Sequence, residues 1–405
     1  MKVIVVGAGI GGLTLAQALV GRGIEVVVLD RDLEISRTGG YRLHINTHAY
    51  RALRSNLPSS IFAALDASSA PPESFERMHV TDRRLRVVAT VTNGDRSEHL
   101  MIGRVALRTL LARGLANRLR TATTVVGYES TDVGVDVVTD TGERISGDLI
   151  VAADGARSVI AEQAAGRAMS SPVDLRGCAG TVPMASMLEA PPPILRHGPV
   201  LAVGPRGTGL FLTLHCPRRF HRSTGETVEP IIEPASLIWG LIATERAAST
   251  VGSGPMPLTG VDRLLGGWSP WVRKIVGKTD PRTLGNYVFR AADPSPRMVP
   301  WTDERVTALG DAVHAMPPTG GRSASTAIVD ATDLAEVISR GAGATSLGEY
   351  HDRLSTRGAD AVRESMAPAK WITRSDTIAG TILLSTALPV VAQIRSLVAA
   401  PKWSR

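Results

Sequence analysis

Residues 3–12 constrain this chain more than any other stretch. Val3 to Val6 is a short apolar run of the kind that forms a buried parallel strand, and Gly7-Ala8-Gly9-Ile10-Gly11-Gly12 follows at once. Leu13, Ala16, Leu19 and Val20 then recur at helical spacing, and a second run, Val26-Val27-Val28-Leu29, ends in Asp30 and Arg31. Strand, glycine turn, helix, strand and acid, in that order, make Gly7-x-Gly9-x-x-Gly12 a dinucleotide fingerprint. Gly7 permits the tight turn, Gly9 lets a pyrophosphate approach the backbone, and Gly12, beside Gly11, lets the helix pack on the strand. The helix N-terminus adds free N–H groups and partial positive charge for the phosphates. Asp30, eighteen residues beyond Gly12, is placed to accept hydrogen bonds from a ribose hydroxyl. The fingerprint alone does not choose between a nicotinamide and a flavin dinucleotide.

At 405 residues the chain is too long for one hydrophobic core, and two or three units are expected. The spacing predicts a helix from Arg104 to Leu115, a hairpin over Val135 to Ser146 and a strand from Leu149 to Ala152. From Cys178 to about Arg290 the pattern changes to strands, at Leu201-Ala202-Val203, Leu210 to His215 and Leu237 to Thr244, divided by Pro and Gly turns. A strand over Arg305 to Leu309, a Gly/Pro loop and a helix from about Gly321 to Arg340 follow, and the last 65 residues have helical character.

Two further acids sit at strand ends. Leu149 to Ala152 delivers Ala153-Asp154-Gly155-Ala156-Arg157-Ser158, and Arg305 to Leu309 delivers Gly310-Asp311-Ala312-Val313-His314, at the carboxyl ends where open parallel sheets bind ligands. With the fingerprint, these segments resemble the class A FAD-dependent aromatic monooxygenases, the family of para-hydroxybenzoate hydroxylase, over most of the chain. The resemblance implies an α/β fold: a Rossmann-like FAD-binding domain, an inserted β-rich substrate domain and a C-terminal helical region. The corresponding boundaries are 1–72, 98–176 and 286–340 for the FAD-binding domain, 73–97 and 177–285 for the substrate domain, and 341–405 for the C-terminal helices. It implies Asp30 at the adenosine ribose and Arg104 at the cofactor phosphates and ribityl chain. Asp154 and Gly155 belong to a motif handling both FAD and NADPH, and Asp311, with Gly310, binds the ribityl hydroxyls. Gly39-Gly40-Tyr41-Arg42 matches the loop that skirts the flavin ring. A carboxylate at Asp311 is well suited to a polyol, because it accepts several hydrogen bonds. The helix beginning near Gly321 would stabilise negative charge on a reduced flavin.

The sequence departs from the family after that helix start, reading Gly321-Arg322-Ser323-Ala324-Ser325 where Gly-x-Gly-x-Asn is usual. If the missing glycine has positive φ, Ser323 forces the loop to adjust, and Ser325 keeps a hydroxyl but loses an amide.

Other chemistries are disfavoured. The 45 basic residues against 38 acidic ones, +7 overall, are mostly Arg and evenly spread, without the clustering of a nucleic-acid footprint. Cys178 and Cys216 are too far apart in sequence for a Cys-x-x-Cys pair, the histidines show no metal-ligand spacing, and no Gly-x-Ser-x-Gly elbow occurs. His314 is expected to be structural, as is Trp239, whose alternative role is to face an aromatic substrate. The start of the chain lacks a signal-peptide pattern, so a cytoplasmic location is expected. Residues 377–394 are uncharged, but Gly380, Pro389 and five polar residues favour a broken, buried helix over a membrane span.

The resemblance therefore implies that NADPH or NADH reduces FAD, that O2 adds to give a flavin C4a-hydroperoxide, and that an aromatic or apolar small molecule is hydroxylated, in natural-product tailoring. No protein acid or base is required, so no catalytic residue is assigned. Ser323 and Ser325 motivate one alternative, an FAD-binding protein of the same fold that acts as an oxidase or a non-redox cyclase. A nicotinamide protein without flavin is the other, and it would purify colourless.

Overall fold

The computed structural model describes residues 1–92, 98–132, 134–217, 228–341 and 344–377. The uncharged segment therefore lies outside the described residues, apart from Thr377.

Short apolar runs from both halves of the chain assemble into a five-stranded, all-parallel sheet. Its order is Val306–Ala308, Leu149–Ala152, Lys2–Val6, Glu25–Leu29 and Leu119–Arg120. The first strand is central and nearly sealed from solvent, as continuous apolar strands in covered parallel sheets must be. Helices Ile10–Val20, Arg104–Leu111 and Ser323–Ser339 pack with it into the largest core. A three-stranded antiparallel sheet, Val125–Ser130, Val135–Thr139 and Arg144–Gly147, adds Val135, Val137 and Ile145 to the same core.

A seven-stranded sheet forms the second layer, in the order Gly285–Ala291, Ser171–Pro183, Ser236–Thr244, Thr208–His215, Val200–Val203, Arg77–Asp82 and Val87–Thr92. All neighbours are antiparallel except Val200–Val203 with Arg77–Asp82. Its outer face carries Cys178, Leu210, Leu212, Leu237, Trp239 and Leu241, and two helices the sequence pattern did not reveal, Leu258–Leu264 and Pro270–Val276, bury against them. Each is only seven residues long, too short for its periodicity to stand out among Pro and Gly turns.

Two elements join the layers. A two-stranded ladder pairs Arg42–Ile45 with Leu100–Gly103. The 31-residue helix Ala344–Arg374, about 46 Å long at 1.5 Å per residue, buries Tyr350 and Leu354 in the parallel-sheet core. Farther along, it sets Ile372 against Leu175 and Ile242 of the large sheet. None of the described helices is long and apolar enough to cross a membrane.

Candidate functional site

The glycine turn has the geometry its sequence requires. Gly7 has φ of +109°, and a Cβ there would lie 2.4 Å from the Ala153 carbonyl oxygen; at Gly12 a Cβ would lie 2.0 Å from the carbonyl oxygen of Gly7. Gly11 meets Leu309 and Ala327, so it packs the first helix against the Ser323–Ser339 helix. Gly9 is different: its nearest neighbour in the Cβ direction is 3.9 Å away, which leaves the backbone open to a ligand. It is also the N-cap of Ile10–Val20, with no capping side chain and no acid in the first turn, so the terminal N–H groups remain available to an anion.

Asp30 is buried and holds the turn from below. One carboxylate oxygen accepts from the Ala8 N–H at 2.5 Å, and the other from the Asp32 N–H at 2.8 Å. Arg108, which the sequence reading missed, pairs with Asp30 at 3.2 Å and Asp32 at 2.6 Å, and donates to the Ala8 carbonyl at 2.8 Å. With the side chain 4% exposed, this guanidinium is a buried brace between helix Arg104–Leu111 and the fingerprint turn. Its signal in the sequence was its position one turn after Arg104. Arg31, by contrast, is exposed.

Arg104 lies above this brace. Its Nε donates to Thr38 Oγ1 at 3.1 Å, and a Cβ on Gly40 would come within 2.9 Å of its Cδ. Burial lowers its pKa, opposed chiefly by the nearby Asp311 carboxylate. Arg104 and Asp311, 207 positions apart, therefore share one electrostatic environment. Asp154 closes the other side of the sheet: Oδ2 accepts from the Val159 N–H at 3.0 Å, whereas Oδ1 is buried without a protein partner. Burial raises its pKa and outweighs the hydrogen bonds from Ser158 and the backbone, which lower it. A Cβ on Gly155 or Gly321 would meet nothing within 4 Å. An orphaned buried oxygen beside glycine-lined space fits a ligand with hydroxyl donors.

Gly310 takes φ of +65° to turn Asp311 into the site. Its N–H is held by Asp330 Oδ2 at 3.1 Å, and the same oxygen lies 2.6 Å from His314 Nε2; Arg357 Nε holds Oδ1 at 2.7 Å. Burial opposes a charge on His314, but the adjacent Asp330 carboxylate outweighs it and raises the His314 pKa. His314 is fully buried, and its place in this triad is structural.

The two serines sit without disturbance. Positive φ falls at Gly321 (+62°), not at Ser323, which opens the helix Ser323–Ser339. Ser323 Oγ donates to Asp311 Oδ1 at 2.7 Å. Ser325 is buried; its Oγ accepts from the Asn46 N–H at 3.1 Å and donates to the His44 carbonyl at 3.3 Å. The expected loop adjustment does not occur, which removes the Ser323 half of the motive for a non-hydroxylating protein. Arg322 turns outward to an ion pair with Glu364.

Two expectations are redirected. Arg42 does not point toward the glycine turn: Nη1 donates to the Leu214 carbonyl at 2.6 Å and Nη2 to Thr213 Oγ1, both on the large sheet. Trp239 faces the outer core, fully buried, with its indole N–H on Thr279 Oγ1 at 2.7 Å, so its place is in the packing rather than facing a substrate. The inner face of its strand carries Gly240. Gly240, central in the sheet, pairs with Phe211 on one side and Ala179 on the other, and a Cβ there would meet only the Ala179 Cβ, at 3.7 Å.

Arg104, Asp311 and Ser323 are thus brought together, Asp30 and Arg108 brace the glycine turn from within, and Asp154 and Gly155 follow the neighbouring strand, whereas Arg31 is exposed and Arg42 and Arg322 pair elsewhere. The described groups suit FAD: an uncapped helix N-terminus for pyrophosphate, and the Asp154 and Asp311 carboxylates as acceptors for hydroxyls.

Comparison with known proteins agrees. The dual O-methyltransferase/FAD-dependent monooxygenase CTB3 of Cercospora beticola is 26% identical over 374 residues, covering 83% of this chain and 42% of that protein. Zeaxanthin epoxidase of Solanum lycopersicum is 29% identical over 357 residues, covering 83% and 47%. This chain therefore spans under half the length of these curated relatives. Klebsiella pneumoniae HpxO, solved with FAD and uric acid, superposes with a TM-score of 0.72 at 20% identity, covering 99% of this chain and 97% of that one, a likeness of fold. The FAD binding domain family matches residues 1–192 and 273–365, well over half the chain and including every anchor described above, and to that family this protein belongs.

Proposed function

We propose that this protein is an FAD-dependent monooxygenase that consumes NADPH or NADH and O2 to oxygenate an aromatic or apolar small molecule, in natural-product tailoring. The observation that carries the reading is the inner face of the large sheet at half-buried Gly240, an apolar surface of Phe211, Gly240, Ala179 and Ile238 that adjoins the cofactor anchors through the continuous segment Gly40-Tyr41-Arg42. The relatives point the same way, since CTB3 and zeaxanthin epoxidase are named for oxygenation.

FAD, when bound, supplies the redox chemistry that no side chain can, accepting electrons from a nicotinamide and reacting with O2. The chain's own residues do the positioning. Arg104 neutralises phosphate charge, Asp311 and Asp154 accept from hydroxyls, and Ser323 fixes the rotamer of Asp311. The helix Ser323–Ser339 begins without a capping side chain, so its N–H groups can stabilise negative charge on a reduced cofactor. The end of helix Ala344–Arg374 packs on the large sheet through Ala369 and Ile372 against Leu175 and Ile242, an apolar contact that would help to keep water from a bound flavin.

The test is the purified protein loaded with FAD under labelled O2. Candidate aromatic substrates should stimulate NAD(P)H oxidation, with label appearing in the product. Bound FAD with substrate-stimulated oxidation but no label in any product would overturn the reading.

A further inference from the structure

We propose that Arg42 is the specificity-determining residue of the substrate space, seating an ionised oxygen carried on an aromatic ring, a phenolate or enolate. The proposal rests on the reading of the Gly240 face as the substrate's.

Among the described residues Arg42 is in no ion pair; Glu233, whose carboxylate lies against Gly103 opposite Arg42, is taken up by His215. The two hydrogen-bond acceptors of Arg42, the Leu214 carbonyl and Thr213 Oγ1, are neutral. The ionisable group that acts on it is the Cys216 thiol, neutral at physiological pH. His44, two residues on, offers no negative charge: burial first, then His99, Arg42 and Arg322, push it down to about 3. Burial pulls Arg42 itself down to about 9, which still leaves it charged near neutrality. A guanidinium so enclosed by protein is costly unless an anion completes it. Two of its five N–H groups have partners, so donors remain for a ligand.

Alternation along Thr208–His215 puts Gly209, Phe211, Thr213 and His215 on one face. Ile372 covers Gly209 and Glu233 holds His215 at 2.9 Å, so both ends of this face are filled. Between them Phe211 and Gly240 are half-buried, a Cβ on Gly240 would meet only the Ala179 Cβ, at 3.7 Å, and Thr213 holds the Arg42 guanidinium at one edge. Arg42 keeps partial accessibility despite its depth, as a residue bordering an internal space does. A flat apolar floor with one desolvated cation at its rim matches a planar ring bearing an acidic oxygen. Holding that oxygen ionised also enriches the ring in electrons, which oxygen transfer to an aromatic carbon requires.

The test uses the FAD-loaded protein and two probes of similar shape, 4-nitrophenolate and its neutral ether 4-nitroanisole, with binding followed by the flavin spectrum at a pH where the phenol is ionised. The wild type should prefer nitrophenolate by about tenfold or more, the scale of a charge-assisted hydrogen bond. Arg42→Met should lose that preference while keeping nitroanisole and FAD. Arg42→Lys should retain part of it, and Thr213→Val, which leaves the charge in place but removes its support, should lose part. Equal binding of the two probes by the wild type would overturn the proposal, as would an unchanged preference in Arg42→Met. It would also fall if Arg42→Met released FAD but left the preference intact, since Arg42 would then serve the cofactor. Preference without labelled product in any assay would leave Arg42 as the anion seat and refute the monooxygenase reading instead.

Discussion

Replacing Asp330 by Asn should destabilise the FAD-binding part of the molecule by about 3 kcal/mol, because three groups depend on one carboxylate. Asp330 is fully buried and accepts from the Gly310 N–H, His314 Nε2 and Arg357 Nε. Breaking a buried charged network by removing one partner costs about 3–5 kcal/mol. The lower end applies here, since Arg357 is partly exposed and keeps Asp333 at 3.4 Å. The shape-matched amide retains one acceptor oxygen but no charge. At roughly 2–4 °C per kcal/mol for a unit of this size, the melting temperature should fall by roughly 6–12 °C. The pH dependence gives a second readout. His314 has a folded pKa above its ordinary 6.5, so its contribution is full below that value and is lost as pH rises through the raised one. Asp330 has a folded pKa below its ordinary 3.8, so its contribution is present above that value and lost only as acid passes the depressed one. Wild-type stability should therefore decline as pH rises from 6.5 through the raised His314 value, and Asp330→Asn should flatten that limb. Thermal unfolding followed by flavin fluorescence over a pH series rising from below 6.5 measures both. A loss under about 1 kcal/mol, or a decline with rising pH that survives the substitution, would refute the network's role.

Three further outcomes follow from the site. Arg108→Met strips the counter-charge from buried Asp30 and should weaken FAD binding by about tenfold or more, measured by equilibrium dialysis; Arg108→Lys should rescue little, because one ammonium cannot span Asp30, Asp32 and the Ala8 carbonyl. Gly240→Val suits a strand and fills the open space above Ala179, so FAD should stay bound while substrate-stimulated NAD(P)H oxidation falls by about tenfold or more. Ser323→Ala removes one hydroxyl hydrogen bond to the Asp311 carboxylate, and FAD affinity should drop by about tenfold in fluorescence titration.

What the sequence revealed of this site divides along physical lines. The glycine turn was legible because its requirements are local: Gly7 and Gly12 meet backbone within a few residues of sequence or on the adjoining strand. Asp154 and Asp311 were legible because a polar residue ending an apolar strand lands at the carboxyl edge of the sheet. Arg108 was not, because its value depends on a helix meeting a turn a hundred residues away. Asp330 and Arg357 escaped for the same reason, each lying on a helix whose apolar pattern says nothing of which polar residue faces inward. Arg42 was placed near the flavin by its loop, but its direction is set by the partner strand carrying Thr213 and Leu214.

Arg42 also shows how one short segment can link the two halves of the reaction. Backbone at Gly40 presses on Arg104, with φ of +103° and no room for a side chain. Tyr41 donates its hydroxyl to the Thr283 carbonyl at 2.7 Å beside the large sheet, Arg42 reaches Thr213, and the His44 carbonyl accepts from Ser325 at the start of the helix Ser323–Ser339. Five residues thus touch Arg104, the inner face of the large sheet and the helix Ser323–Ser339. Alternation along the strand Arg42–Ile45 fixes these directions relative to one another, so on the proposed function substrate and flavin would be positioned from the same backbone. A substitution that shifts this segment should therefore change cofactor placement and substrate preference together, whereas Gly240→Val, on the opposite wall, should change substrate preference alone.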